Sequence, residues 1–203
     1  MKNAIYIIVS VLLVLGSFTV LLLYYTQNFD EDLNFKKLLA IKDLEIQKND
    51  RGGVNYLNFV KAEIGTLTLK NKGYFAEVYR TPRLVGCINS KEGIPDDNLK
   101  INNFQFEIYY LGDNNQVYPG TAIDVPVGEE KSYKIIGQYN SYDLPVYVFE
   151  DSVSGVSVYE IPPEEKNPLD DGSYYSDRIY YGNDNCNAIR DKLKPIATIK
   201  VSA

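Results

Sequence analysis

The sequence predicts a mainly β protein, with an N-terminal transmembrane α-helix followed by an antiparallel β-sandwich. Three observations carry that expectation. Residues 3–29 contain no Asp, Glu, Lys or Arg, and 4–25 read AIYIIVSVLLVLGSFTVLLLYY. From Ile64 onward the apolar residues recur mostly at every second position, the period of a half-buried strand. Roughly seven or eight such segments follow at spacings of about 8–14 residues, with Gly, Asn, Asp and Pro between them.

The apolar run comes first. As a helix, residues 4–25 would span about 33 Å, close to the roughly 30 Å hydrocarbon core of a bilayer. Ser10, Ser17 and Thr19 are tolerated there because a hydroxyl can bond back to the carbonyl one turn earlier. Tyr6 at one end and Tyr24 and Tyr25 at the other occupy interface positions, ring inward and hydroxyl among headgroups. A cleaved signal peptide would need an apolar run of about 7–15 residues and then a small-x-small site. This run is longer, and its exit through Tyr24-Tyr25-Thr26-Gln27-Asn28-Phe29 offers none. A buried core helix would keep a polar face, and none exists. An uncleaved signal anchor is therefore expected over 1–29. Lys2 precedes the run and Asp30-Glu31-Asp32 follows it. The positive-inside rule then puts the N-terminus in the cytoplasm and residues 30–203 outside the cell membrane, although Lys36 and Lys37 blur the asymmetry.

Residues 30–53 are expected to form a stalk or linker. Leu33, Lys37, Ala40 and Leu44 would share a helical face, and Leu44 with Ile46 begins a strand-like alternation; Asn49–Gly53 is a turn. Residues 54–203 are the expected β domain. Leu67 and Leu69 alternate with Thr66, Thr68 and Lys70, and Asn71-Lys72-Gly73 supplies a turn. Glu77–Ile88 reads as a strand interrupted by Pro82, which implies an edge or a bulge. A polar loop over Asn89–Asn103 leads to Phe104, Phe106, Ile108 and Tyr110 on one strand face. Gly112–Asn115 turns, and Val117–Val127 is extended but broken by Pro119 and Pro126. Ser132–Tyr139, Val146–Glu150, Val156–Ile161 and Ile196–Val201 complete the expected strands, with a loop-rich acidic segment over 162–195.

Two resemblances attach to these residues. Thr66-Leu67-Thr68-Leu69-Lys70-Asn71-Lys72-Gly73 is similar to the strand-Asn-x-Gly signature of immunoglobulin-like surface modules, the CARDB-type adhesion modules among them. The strand Phe104–Leu111 and the turn Val125-Pro126-Val127-Gly128-Glu129 leading into Ser132–Ile136 follow in the order those modules use. The resemblance covers about residues 64–139 and implies an immunoglobulin-like sandwich with an extracytoplasmic binding or structural role. The layout of anchor plus sandwich also resembles archaeal pilin-like and archaellum-associated proteins. Lys2-Asn3-Ala4 is a minimal version of their charged leader and small residue, and this resemblance implies a filament or membrane assembly.

Composition excludes several activities. The chain has 203 residues, no His, no Trp, two Cys and 18 Tyr, with a net charge of −6. Without His the commonest general base is missing, and two Cys alone cannot complete a Cys-based zinc site. An acidic chain is a poor partner for nucleic acid. No Walker loop, Gly-x-Ser-x-Gly or dinucleotide fingerprint occurs. The remaining candidates are three. Cys87 and Cys186 would pair in an oxidising compartment, tying the acidic tail to a strand; the alternative is two free thiols. Asp170, Asp171, Asp177 and Asp184 lie near Gly and Asn turns. They offer oxygen ligands for a weakly bound calcium, against the plainer reading of a solvated loop, and no other cofactor is expected. Tyr174, Tyr175, Tyr180 and Tyr181 lie in that same segment as an amphipathic contact surface, whereas strand tyrosines divide between inward and outward positions. Together these give a non-enzymatic, single-pass surface protein that touches other proteins or glycans in an adhesion or structural role. The alternative is a subunit of a homo-oligomer, filament or membrane complex whose apolar helix packs on other helices.

Overall fold

The computed structural model describes residues 29–73, 77–91, 105–113, 115–140, 145–162 and 186–202, with Leu12, residues 14–17 and Thr19 near the N-terminus. Those N-terminal residues are helical, and Leu12, Val14 and Leu15 are exposed. The Thr19 hydroxyl donates to the Leu15 carbonyl, the bond-back expected of a hydroxyl in an apolar helix. Among the described residues no helix is long and apolar enough to cross a membrane. Most of 4–25, with Tyr6, Tyr24 and Tyr25, lies outside the described residues.

The rest is mainly β. The strands are β1 (Phe29–Phe35), β2 (Leu38–Ala40), β3 (Glu45–Arg51), β4 (Val54–Asn71), β5 (Glu77–Arg80) and β6 (Leu84–Ser90). They continue with β7 (Gln105–Leu111), β8 (Gln116–Val117), β9 (Ala122–Val125), β10 (Glu130–Asn140), β11 (Val153–Glu160) and β12 (Ala197–Ser202). Two short helices, α1 (Val146–Ser152) and α2 (Cys186–Lys192), flank β11 in sequence. Among the described residues ten strands form one sheet in the order β1-β4-β10-β7-β6-β11-β12-β2, with β3 added to β4 and β8 to β7; β5 and β9 form a separate pair. Apart from the parallel β2–β12 contact, every pairing is antiparallel.

The sheet must curl, because its two ends are consecutive in the chain. β1 lies at one end and β2 at the other, yet Lys36 and Lys37 alone separate them. Successive Cα atoms are about 3.8 Å apart, so Phe35 and Leu38 lie within roughly 11 Å. Lys36 N–H donates to Ile64 O on β4, and the next carbonyl, Lys37 O, accepts from Lys200 N on β12. Adjacent residues thus bond to opposite ends of the sheet. The curl encloses one core that includes Leu57, Val60, Leu67, Leu69, Tyr110, Ile135, Val158 and Ile199, each fully buried.

Three expected elements differ. Residues 30–48 hold one 3-10 turn, Ile41–Asp43, in place of the expected amphipathic helix: β1 pairs with the free edge of β4 from Phe29↔Asn71 to Phe35↔Gly65. Phe29, Leu33 and Phe35 pack on the core in period two, and Leu39 is buried. A long unpaired edge outweighed a weak helical face. Val146–Glu150 is helical, since Pro145 caps its start and Val146, Phe149 and Ser152 become buried at helical spacing. Glu77–Ile88 is two strands in two sheets. Pro82 lacks an N–H for a ladder, so the chain leaves β9 at Arg80 and joins β7 and β11 beyond it.

Candidate contact sites and the disulfide clasp

β6 is the strand on which the expected cysteine chemistry rests. Its alternate residues face two ways. Leu84 and Ile88 enter the main core, and Val85 and Cys87 face the other side with Tyr159 and Ile161 of β11. A bare sheet would expose that second face. Here α2 covers it with Cys186 and Ile189, and Leu193 packs alongside, so Leu84–Ile88 is buried at every position. Cys87 and Cys186 form a disulfide with Cα atoms 5.6 Å apart, closing a sequence separation of 99 residues. One turn later the Arg190 guanidinium donates to Ile88 O at 2.5 Å, a second pin between α2 and β6.

The described structure fixes where the acidic segment departs and returns. Ile161 N–H donates to Arg83 O just before β6. The chain rejoins over Cys87, four residues further along, or roughly 13 Å of strand. Tyr174, Tyr175, Tyr180 and Tyr181, and Asp170, Asp171, Asp177 and Asp184, belong to the segment between these points and lie outside the described residues. Among the described residues no three His, Cys, Asp or Glu side chains gather as metal ligands.

The strand tyrosines are more buried than alternation predicts. Tyr109 and Tyr110, adjacent on β7, are both buried, at 8% and 0% exposure. The Tyr110 hydroxyl donates to Pro82 O at 2.8 Å, and Lys61 Nζ lies 5.8 Å from the Tyr109 ring centre. Tyr79 of β5 meets Phe29 edge to face, with ring centres 5.3 Å apart. Burial, and then its hydrogen bond with Glu31, hold the Tyr79 phenol far above the ordinary range. Glu160 stands near the same place; partial burial first, and then the charge of Glu31, push its carboxyl upward. This Tyr79–Glu31–Glu160 neighbourhood joins β5, β1 and β11. No sequence spacing indicates it.

An open groove of about 400 Å³ lies between the β7–β8 hairpin, β9 and the start of β10. Its base is formed by Val117, Ile123 and Tyr133, all buried. Asn115, Gln116, Thr121 and Asp124 stand on its exposed rim. Tyr118, 59% exposed, also lines it. Turn chemistry builds one wall: Thr121 N–H donates to Tyr118 O, and Gly120 takes the left-handed φ of +77° that a Pro-Gly type II turn requires. Lys131 Nζ donates to the Asp124 carbonyl at 2.6 Å, bridging β10 to β9. The Pro119-Gly120 pair is the sequence signal nearest to this site; the packing that brings Lys131 of β10 against Asp124 of β9 is not visible in it.

No protein-family model matches the chain, and no curated protein is significantly similar to it.

Proposed function

We propose that this is a single-pass, membrane-anchored surface protein whose tyrosine-rich, immunoglobulin-like β domain makes contacts with other proteins or glycans and performs no catalysis. The observation that carries the reading is the buried Cys87–Cys186 disulfide. Structural disulfides persist in oxidising compartments, so the β domain belongs outside the cytoplasm. The uncharged run over 3–29 supplies an anchor of the right length. Strand β1, from Phe29, follows directly on that run in the sequence, which supports a β domain held close to the membrane. The bridging of both sheet ends by β1 and β2 supports a closed sandwich of the kind the CARDB-type resemblance implies. Display then works through confinement: many weak contacts on one surface add by multivalency.

Membrane fractionation and protease shaving test this. The full chain should stay with carbonate-washed membranes, and shaving of intact cells should remove the β domain. Deletion of residues 3–25 should move it to the soluble fraction. A full chain that is soluble, or protected from external protease, would overturn the reading. A filament or a fixed stoichiometric complex in detergent extracts would instead favour the assembly subunit.

A further inference from the structure

We infer that the groove between β8, β9 and β10 is a saccharide-binding site, a reading that rests on the contact role proposed above and gives it a place. The groove matches a ligand with one apolar face and a hydroxyl-rich edge. Its base is apolar, with Val117 and Ile123 beside the Tyr133 ring, and its rim carries neutral hydrogen-bonding groups on Asn115, Gln116 and Thr121. Tyr118 presents an exposed ring on which a pyranose can stack. One carboxylate, Asp124, and one ammonium, Lys131, balance each other, which suits a neutral ligand better than a phosphate or a polycation.

Tyr133 is a second, independent pointer. It is 6% exposed, it lines the groove, and among the described residues nothing hydrogen-bonds its hydroxyl. Burial raises its phenol, so the hydroxyl keeps its proton and remains a donor. A hydroxyl that lines the groove without a protein partner is free to bond a ligand hydroxyl. An extended peptide is a poorer occupant. Strand addition needs a free edge, but β8 has only two residues, with Pro119 two positions beyond its end, and the Asp124 carbonyl of β9 is already taken by Lys131. β1 pairs with β4 from Phe29, and Lys131 is level with Leu69 and Glu31. The groove therefore opens near the end of the domain at which the anchor enters, where both soluble and lipid-linked sugars could reach it.

The test uses the full chain in nanodiscs, probed on a printed array of neutral oligosaccharides and, in a second arm, with neutral glycolipids placed in the same nanodiscs. At least one saccharide should be retained. Tyr118→Ala and Tyr133→Phe should each weaken retention by about tenfold or more, the loss of one stacking or hydrogen-bonding contact in a desolvated site. Tyr147→Ala, which removes an equally exposed tyrosine on α1, should leave it unchanged. Tyr118→Ala should also leave the thermal midpoint unchanged, since that ring is exposed. Retention of no saccharide in either arm, or retention that survives both groove substitutions, overturns the site. Membrane fractionation and shaving would be unaffected by that outcome, so failure of the groove and failure of the display reading are separable.

Discussion

β6 and the first part of β4 belong to one sheet, yet solvent meets them differently. From Leu84 to Ile88, β6 is buried on both faces, by the main core on one side and α2 on the other. β4 begins at Val54 and Asn55, both exposed and paired with β3, and Tyr56 adds a single bridge to Pro145. Among the described residues β10 pairs with β4 as far as Asn140 opposite Phe59. Val54 and Asn55 at that tip stay open to solvent. Strand pairing by itself does not make a core; a second layer does, and here a disulfide holds that layer in place.

Removing the clasp should break the contrast most. Replacing both Cys87 and Cys186 with Ala should destabilise the domain by up to about 4–5 kcal/mol, the chain-entropy value for a loop of roughly 100 residues. Urea unfolding measures this, and an unchanged midpoint would mean that α2 needs no tether. Next in size, Ile189→Ala should cost about 3 kcal/mol, because it empties a site that is 1% exposed. Val54→Ala on the hairpin should cost less than about 0.5 kcal/mol. Equal costs at the two positions would erase the distinction between a covered and an uncovered strand.

The seam that closes the sheet offers a third comparison. A Cβ at Gly65 would collide with the Asn34 carbonyl on β1. Gly65→Ala should therefore loosen the β1 seam and cost about 1–3 kcal/mol, the usual range for overpacking. Hydrogen exchange should rise at the Lys36 amide while amides in β6 and β11 keep their protection. Uniform loss of protection would show that the seam and the clasped strands open together.

The smallest effect is electrostatic. The Glu160 carboxyl is raised in the folded state by burial and by Glu31. Its favourable contribution is complete below the ordinary carboxylate value and is lost as pH rises through the raised value. Glu63 behaves oppositely: burial pushes it up, but hydrogen-bonded Lys36 and Lys134 outweigh that and hold it down. Its contribution is present at neutral pH and is lost on acidification. Glu160→Gln should give a slight gain in thermal midpoint at neutral pH that shrinks at low pH. A gain independent of pH would point to packing instead.

Much of the sheet was legible in the residues. Leu67 and Leu69 alternate with Thr and Lys in the sequence, and both are fully buried. Phe106, Ile108 and Tyr110 share the core as their spacing predicts. Pro82 marked the break between β5 and β6. The helix over Val146–Ser152 was hidden because Val, Tyr and Phe favour strands; its helical face acquires meaning only when the core receives Val146 and Phe149 together. The strand at 29–35 was hidden for the converse reason, since the β4 edge that recruits it lies thirty or more residues downstream. The groove was less legible still. Tyr118 and Tyr133 look alike among 18 tyrosines, and only the packing of β10 beside β9 gives them different exposures.

By itself the sequence determined the class of the protein. Alternating apolar residues, turn residues at short intervals and two cysteines outside any metal pattern lead to a disulfide-tied β domain behind an uncharged run. Those are local properties, written in spacing and composition. The tertiary structure decided which edges meet, which face of β6 is covered and which tyrosines remain exposed. Each depends on residues far apart in the chain arriving together, with Lys36 and Lys37 joining the two ends of the sheet and Cys186 returning to Cys87.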